Sequence, residues 1–351
     1  MAAATNAIAQ RLPLVDLVAE IRDARIPLSS EYELLRIFPS LSRRIVVMNK
    51  IDLADPTQVK GWMRYFEQQN CIPYGVNSHN KDSVKGLLNF IRAQVRGLCK
   101  ANSRETITIM LVGIPNVGRS ALPNSLHHIG RISAAEKGKL KHATVSPQPG
   151  ETKDISGLKI GSHPNIYLLD TPGILPHIIH DAERCSKLAL TGGAIRDGLI
   201  EQKELAQYFL PILNLSDQYK KWAKFSNNQS RLDRKEEASI SSKLEVRQKK
   251  QYLMDHTQER TMLDLSMQDP ILHGVRGAIF DTISSFDSNL ELEDDMIKLI
   301  KAQFIPLRVA SRVPEYIGEN VDNKVGVKLL DLYRTGRLGH YTLDPLPVTI
   351  L

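Results

Sequence analysis

Gly113 and Gly118 enclose four residues, and Arg119-Ser120 follow, directly after the apolar run Ile107 to Val112. This is the spacing of a phosphate-binding loop, with arginine in the usual place of lysine. Glycine is needed because the backbone must wrap a phosphate closely with its N–H groups turned inward. The backbone N–H groups of Asn116, Val117, Gly118, Arg119, Ser120 and Ala121 are the candidate phosphate donors, helped by the field of the helix that follows. Arg119 would reach the β- and γ-phosphates, and the Ser120 hydroxyl would meet Mg²⁺. The exchange to arginine is not conservative, since a planar fork replaces a compact ammonium. Pro123 falls in the first turn of the following helix, a second departure that bears on affinity and hydrolysis.

A second apolar run, Ile166 to Leu169, leads into Asp170-Thr171-Pro172-Gly173. The Asp170 carboxylate can hold Mg²⁺ through water, and the Gly173 N–H can touch a γ-phosphate. Between the two motifs lies a basic stretch containing Pro149-Gly150-Glu151-Thr152. Thr152 is the expected Mg²⁺-ligating switch threonine, with Thr144 as the alternative. Upstream of all of these, Asn49-Lys50-Ile51-Asp52 ends the β-branched run 44–48. An ionised Asp52 can accept hydrogen bonds from guanine N1–H and N2–H₂, which adenine cannot supply, and an unpaired carboxylate penalises the wrong base. The Lys50 stem would cover the base, Asn49 would tie loops together, and Asn77-Ser78 would bring N–H groups to guanine O6. The expected ligands are therefore GTP and Mg²⁺.

These motifs need strands to carry them. Apolar runs at 14–22, 44–48, 72–76, 107–112 and 165–169 read as strands. Residues 56–69 and 83–98 have helical spacing. Residues 155–160 and 165–169 suggest a hairpin, and 131–153 a loop. The alternation predicts an α/β fold of the P-loop NTPase type, a mostly parallel sheet covered on both faces. After about residue 185 strand signals stop. The expected division is a nucleotide domain over 1–184 and an all-α domain over 185–351, with helices at 291–302 and 325–336 and a charged stretch at 216–260. Trp62 and Trp222 read as packing residues.

With 351 residues, 42% of them hydrophobic, the chain can build a sizeable core, and no apolar run reaches the roughly 18 residues of a membrane span. The net charge of +7 favours polyanionic partners such as RNA. Cys71, Cys99 and Cys185 form neither a metal pattern nor a disulfide framework. The alanine-rich start with Arg11 is faintly like a transit peptide, but the first strand leaves little length for a removable leader.

The order of motifs, base reader first and phosphate loop second, resembles the circularly permuted GTPases of ribosome biogenesis. Asp23-Ala24-Arg25-Ile26-Pro27 with Leu28-Ser29-Ser30 is similar to the signature that names the DAR GTPases, and Tyr333-Arg334-Thr335-Gly336-Arg337-Leu338-Gly339 is similar to their C-terminal helical domain. The nearest subgroup in pattern is the mitochondrial ribosome-assembly GTPases, with a plant member expected. The resemblance implies slow GTP hydrolysis stimulated by the large ribosomal subunit, rRNA contact by the helical domain, and a monomer. It also implies a mitochondrial setting, with chloroplast or cytoplasm as alternatives and a peripheral seat on an organelle membrane left open. Asn116 matches the asparagine that helps hold K⁺ in potassium-stimulated relatives. Ile174 stands where small GTPases place a water-orienting glutamine, so no catalytic residue is assigned. His127, His128, His177 and His180 are candidate replacements that more often serve packing. The rival readings are an RNA-binding assembly factor with a degenerate nucleotide site and, more weakly, a metabolic kinase.

Overall fold

A computed structural model describes residues 2–37, 44–102, 105–135, 156–162, 164–171, 181–192, 200–226, 269–314 and 321–347. Six strands form one sheet: β1 (Leu17–Asp23), β2 (Arg44–Asn49), β3 (Ile72–Val76), β4 (Thr106–Val112), β5 (Ser156–Ser162) and β6 (Asn165–Asp170). Their spatial order is β3-β2-β1-β4-β6-β5. Every neighbouring pair is parallel except the β5–β6 hairpin. Central parallel strands are covered on both faces, which is why β1 buries all seven of its residues and β2 five of six.

The helices of this part are α1 (Ala2–Arg11), α2 (Pro56–Gln68), α3 (Lys81–Asn102), α4 (Ala121–Ala135) and α5 (Ala182–Leu190). Each starts where local chemistry allows. Asp55 caps α2 by accepting from the Thr57 and Gln58 N–H groups, with Pro56 in the first turn. Asp181 caps α5 in the same way. Trp62 is fully buried against Phe66, Val46 and Met48.

From β1 the chain steps outward through β2 to β3, then returns to lay β4 on the other side of β1 and continues to β6. The crossovers therefore diverge between β1 and β4. Such a switch point leaves a crevice at the strands' C-terminal ends, where ligands bind in open α/β sheets. The phosphate-type loop follows β4, the Asp23 signature follows β1, the Asn49-Lys50 turn follows β2, and Asp170 ends β6. All four motifs thus meet at one edge.

Two compact units emerge, residues 1–196 with 340–351, and residues 197–339. The sequence predicts a border at 184, with the whole tail in the helical part. The tail belongs to the first unit because the buried Asp344 carboxylate accepts from the N–H groups of Leu28 and Ser29 at 2.8 Å each and from Ser29 Oγ at 2.6 Å. Leu343 N–H also donates to Arg25 O at 2.7 Å. Residues 131–135, expected in a loop, continue α4. Pro123 is the third residue of that helix, where an N–H has no intrahelical partner to lose.

The second unit contains α6 (Gln202–Leu215), α7 (Pro270–Ser284), α8 (Glu293–Ala310) and α9 (Val321–Arg334). It has its own core, in which Phe209 and Tyr333 rings pack 4.4 Å apart. A reciprocal amide pair joins the buried Asn214 and Gln303. Of 216–260, residues 216–226 are described, with a 3-10 turn at Tyr219–Phe225 that buries Trp222. The rest lies outside the described residues.

Candidate nucleotide site

The loop after β4 is shaped by close approaches. A Cβ on Gly113 would come 2.8 Å from the Ile21 carbonyl oxygen, so only glycine lets the loop leave β4 against β1. Gly118 has φ +98°, and a Cβ there would lie 2.0 Å from Asn49 Nδ2. Asn116 also has a positive φ, 62°. Positive-φ residues interleaved with ordinary ones make the concave run of N–H groups that receives anions.

Asn49 and Lys50 hold that shape from across the sheet. Asn49 is fully buried. Its Nδ2 donates to Val117 O at 2.8 Å, and its Oδ1 accepts from Ser78 N–H at 3.1 Å. Lys50 Nζ donates to Asn116 O at 2.8 Å. In a trans peptide the C=O and the following N–H point in opposite directions. Tying down the carbonyls of Asn116 and Val117 therefore turns the N–H groups of Val117 and Gly118 away from β2. The base-side motif thus sets the aim of the phosphate donors, a coupling invisible in either motif alone.

Lys50 has a second partner, Asp23 Oδ2 at 2.9 Å. The Asp23 carboxylate also accepts from Arg25 N–H and Nε at 3.0 Å each and from Nη2 at 2.7 Å. Burial would push this carboxyl up, but the Arg25 and Lys50 charges together hold it well below the usual carboxylate range. Arg25 Nη2 reaches on to Thr191 O at 2.9 Å, just past α5. Arg184 of α5 donates to Ser29 O at 2.9 Å, and Asn116 Nδ2 to Gly192 O at 3.3 Å. The Asp-Ala-Arg signature is therefore a fastener. It joins the base strand, the phosphate loop and the helix that follows the Asp170 motif.

Arg119 is buried, and its Nη1 sits 3.1 Å from Asp170 Oδ1. Burial pushes the Asp170 carboxyl up, against the opposing pull of Arg119 and the Thr171 N–H. Thr171 Oγ1 donates to Leu111 O at 2.7 Å, pinning the end of β6 to β4. The sequence reading missed this anchor, although a hydroxyl directly after a strand-ending aspartate was its signal.

Asp52 is exposed, with no side-chain partner among the described residues, free for a base edge. Asn77 Oδ1 accepts from His79 N–H at 2.9 Å, which shapes the loop that presents Ser78. Ser120 is exposed at the end of the loop, and Ala121 opens α4. His127 Nδ1 lies 2.9 Å from Lys159 O, so that histidine is engaged in packing α4 on the hairpin. Thr152, Thr144, Gly173, Ile174, His177 and His180 lie outside the described residues.

The donor set fits a magnesium nucleotide. Two aimed N–H groups, the buried Arg119 with its Nε unpartnered, the exposed Ser120 hydroxyl and the Asp170 carboxylate converge where the sheet changes direction. Together with Asn49, Lys50 and Asp52 they define a P-loop guanine-nucleotide domain in permuted order. The 50S ribosome-binding GTPase family matches residues 108–254. The chain is 59% identical to DAR GTPase 2, mitochondrial, of Arabidopsis thaliana over 98% of its length and 88% of that protein's. It is 40% identical to Short integuments 2, mitochondrial, of the same plant, over 99% and 88%. Ribosome biogenesis GTPase A of Priestia megaterium is 34% identical over 61% of this chain and 71% of its own. The chain belongs to the DAR GTPase family of circularly permuted GTPases.

Proposed function

We propose that this protein binds GTP, hydrolyses it slowly, and acts as a nucleotide-dependent assembly factor for the large subunit of the mitochondrial ribosome. The observation that carries the nucleotide reading is the pair of 2.8 Å bonds from Asn49 and Lys50 to the carbonyls of Val117 and Asn116. They make guanine reading and phosphate binding one rigid device. Asp52 reads the base, with Asn77 and Ser78 supporting the O6 side. The loop from Asn116 to Ala121, with Gly173, holds the phosphates. Ser120, Thr152 and Asp170 would hold Mg²⁺, whose charge offsets the charge developing on the phosphate oxygens. Asn116 is the residue for K⁺. The ribosomal and mitochondrial parts rest on the names of the relatives: a 50S ribosome-binding family, a ribosome biogenesis GTPase and two plant proteins named mitochondrial.

The helical unit is assigned the contact with rRNA or ribosomal protein, and the protein is taken to act as a monomer. No described helix is long and apolar enough to cross a membrane. Helix α5 follows the Asp170 motif and is fastened by Arg25 and Arg184 to the loop after β1. This gives nucleotide state a physical route out of the site. GTP turnover measured with and without mitochondrial large subunits, in potassium and in sodium, tests the proposal. Subunit-stimulated, potassium-dependent turnover is expected. Equal subunit binding with a GTP analogue, GDP and no nucleotide would remove the switch.

The Arg119–Asp170 pair favours one second reading, an RNA-binding assembly factor whose nucleotide site has decayed, because it occupies both charges that a magnesium nucleotide needs. Absence of saturable GTP binding, with Asp52→Asn as control, would select that reading.

A further inference from the structure

The second unit carries an apolar groove between α6, α8 and the turn that leads into α8, with a volume of about 740 Å³. Leu215, Leu292 and Ile297 line it, yet they are 60%, 55% and 42% exposed. Beyond Ile297, α8 repeats exposed residues at every fourth position: Lys301, then Ile305 and Val309. Residues four apart share a helix face, so the groove continues into a stripe along α8. Single exposed apolar side chains are ordinary, but a contiguous group around a concavity marks a binding surface.

The polar groups of the groove are acceptors at one end and a cation at the other. Glu291 and Glu293 line it where α8 begins, and Lys301 lies eight residues past Glu293, about 12 Å along the helix. None of the three has an ion-pair partner among the described residues, whereas the neighbouring Asp295 and Lys298 are spent on each other at 2.8 Å. Pro211 on the α6 wall has no N–H, so the carbonyl of Gln207, four residues earlier and also lining the groove, loses its helical donor. A phosphate backbone or an anionic bilayer would set its charge against Glu291 and Glu293 and would leave the apolar wall unfilled. A groove between two helices, about two turns long, fits an amphipathic helix.

We propose that this groove docks an amphipathic helix from a protein of the ribosomal large subunit, not rRNA. Bulky apolar residues of that helix fill the space between Leu215, Leu292 and Ile297. Lysine or arginine at one of its ends meets Glu291, Glu293 and the Gln207 carbonyl, and a carboxylate further along meets Lys301. The assignment rests on the ribosomal reading proposed above and specifies which component of the subunit this face meets.

The test is cosedimentation of the full chain with purified mitochondrial large subunits in the presence of a GTP analogue. Glu291→Lys together with Glu293→Lys is expected to weaken binding about tenfold, because like charges then meet. A phosphate-bearing partner would instead hold this variant more tightly and with a steeper salt dependence. Ile297→Ser removes an apolar anchor and should also weaken binding about tenfold. All three positions are exposed, so GTP affinity should stay unchanged and the melting temperature within about 2 °C of the parent. Independently of both variants, p-benzoylphenylalanine placed at Ile297 should crosslink in the complex to a subunit protein, on a helix with lysine or arginine beside its apolar face. Unchanged or tighter binding by the lysine variant, a crosslink to rRNA or to a second copy, or flotation of the parent with cardiolipin vesicles that Ile297→Ser abolishes would overturn the inference. A parent that fails to sediment with subunits under any nucleotide condition would instead overturn the ribosomal reading, and this partner with it.

Discussion

Replacing Asp23 by asparagine isolates what the signature aspartate does. The change keeps the shape, one carbonyl oxygen and the strand. It removes the charge that faces Arg25 and Lys50 and turns an amide donor toward one of them. Four hydrogen bonds end on this carboxylate, at 2.7 to 3.0 Å. Breaking a buried ion pair by removing one partner costs about 3–5 kcal/mol. Arg25 is buried and cannot recover water, whereas the Lys50 side chain is 20% exposed and recovers some. A loss near the lower end, about 3 kcal/mol, is expected, out of a total stability on the order of 5–15 kcal/mol. Urea unfolding at pH 7, compared at equal m-value, measures it. Because Lys50 also holds the Asn116 carbonyl, GTP affinity should fall about tenfold in the same protein. A stability loss under about 1 kcal/mol would refute the fastener role. The sign of the pH dependence follows from the direction of the shift. Asp23 is held below its ordinary value, so its contribution is complete above the unfolded value of about 3.9 and is lost as pH falls below that. The gap between parent and variant should stay constant from about pH 8 to 5 and narrow below about pH 4. Narrowing already between pH 7 and 5 would point to another group.

Gly118→Ala forces a Cβ to within 2.0 Å of Asn49 Nδ2 at a φ that only glycine adopts without strain, so GTP affinity should drop about a hundredfold in a titration. Asp52→Asn removes an exposed group with no partner among the described residues. The melting temperature should not move, while GTP affinity falls about a hundredfold and xanthosine triphosphate becomes the better ligand in competition. Asp344→Ala leaves the buried N–H groups of Leu28 and Ser29 without their acceptor and removes one of the two carboxylates at Lys187, Glu183 remaining, so chemical unfolding should show a loss of about 3 kcal/mol.

Much of this architecture was legible in the chain. Strands at 44–48 and 107–112 announce themselves by apolar, β-branched runs, because central parallel strands bury both faces. Those at 72–76 and 165–169 show weaker apolar stretches, as suits the half-buried edge strand β3 and β6 beside the hairpin. Helices α2 and α3 show their stripe for the complementary reason, since each buries one side. Helices α6 and α7 were not legible. Pro211 lies inside α6, and α7 carries Gly274 and Gly277 in its interior, both weak helix formers. Charged residues inside β1 hid the depth of that strand. Glu20, Arg22 and Asp23 are all buried, and only their partners on other elements make that tolerable.

The sequence by itself determined which chemistry is available: a glycine-framed loop, a carboxylate to read guanine, and the reversed order in which they occur. Those properties depend on residue type and short spacing, which the covalent chain carries directly. Tertiary structure decided how they cooperate. Asn49 and Lys50 aim the phosphate loop 66 to 68 residues away, and Arg25 fastens a segment 166 residues downstream. Arg119 spends one donor on Asp170, 51 residues away. Each of these depends on which strands lie next to one another and on which buried polar groups must find partners. A local pattern cannot state either.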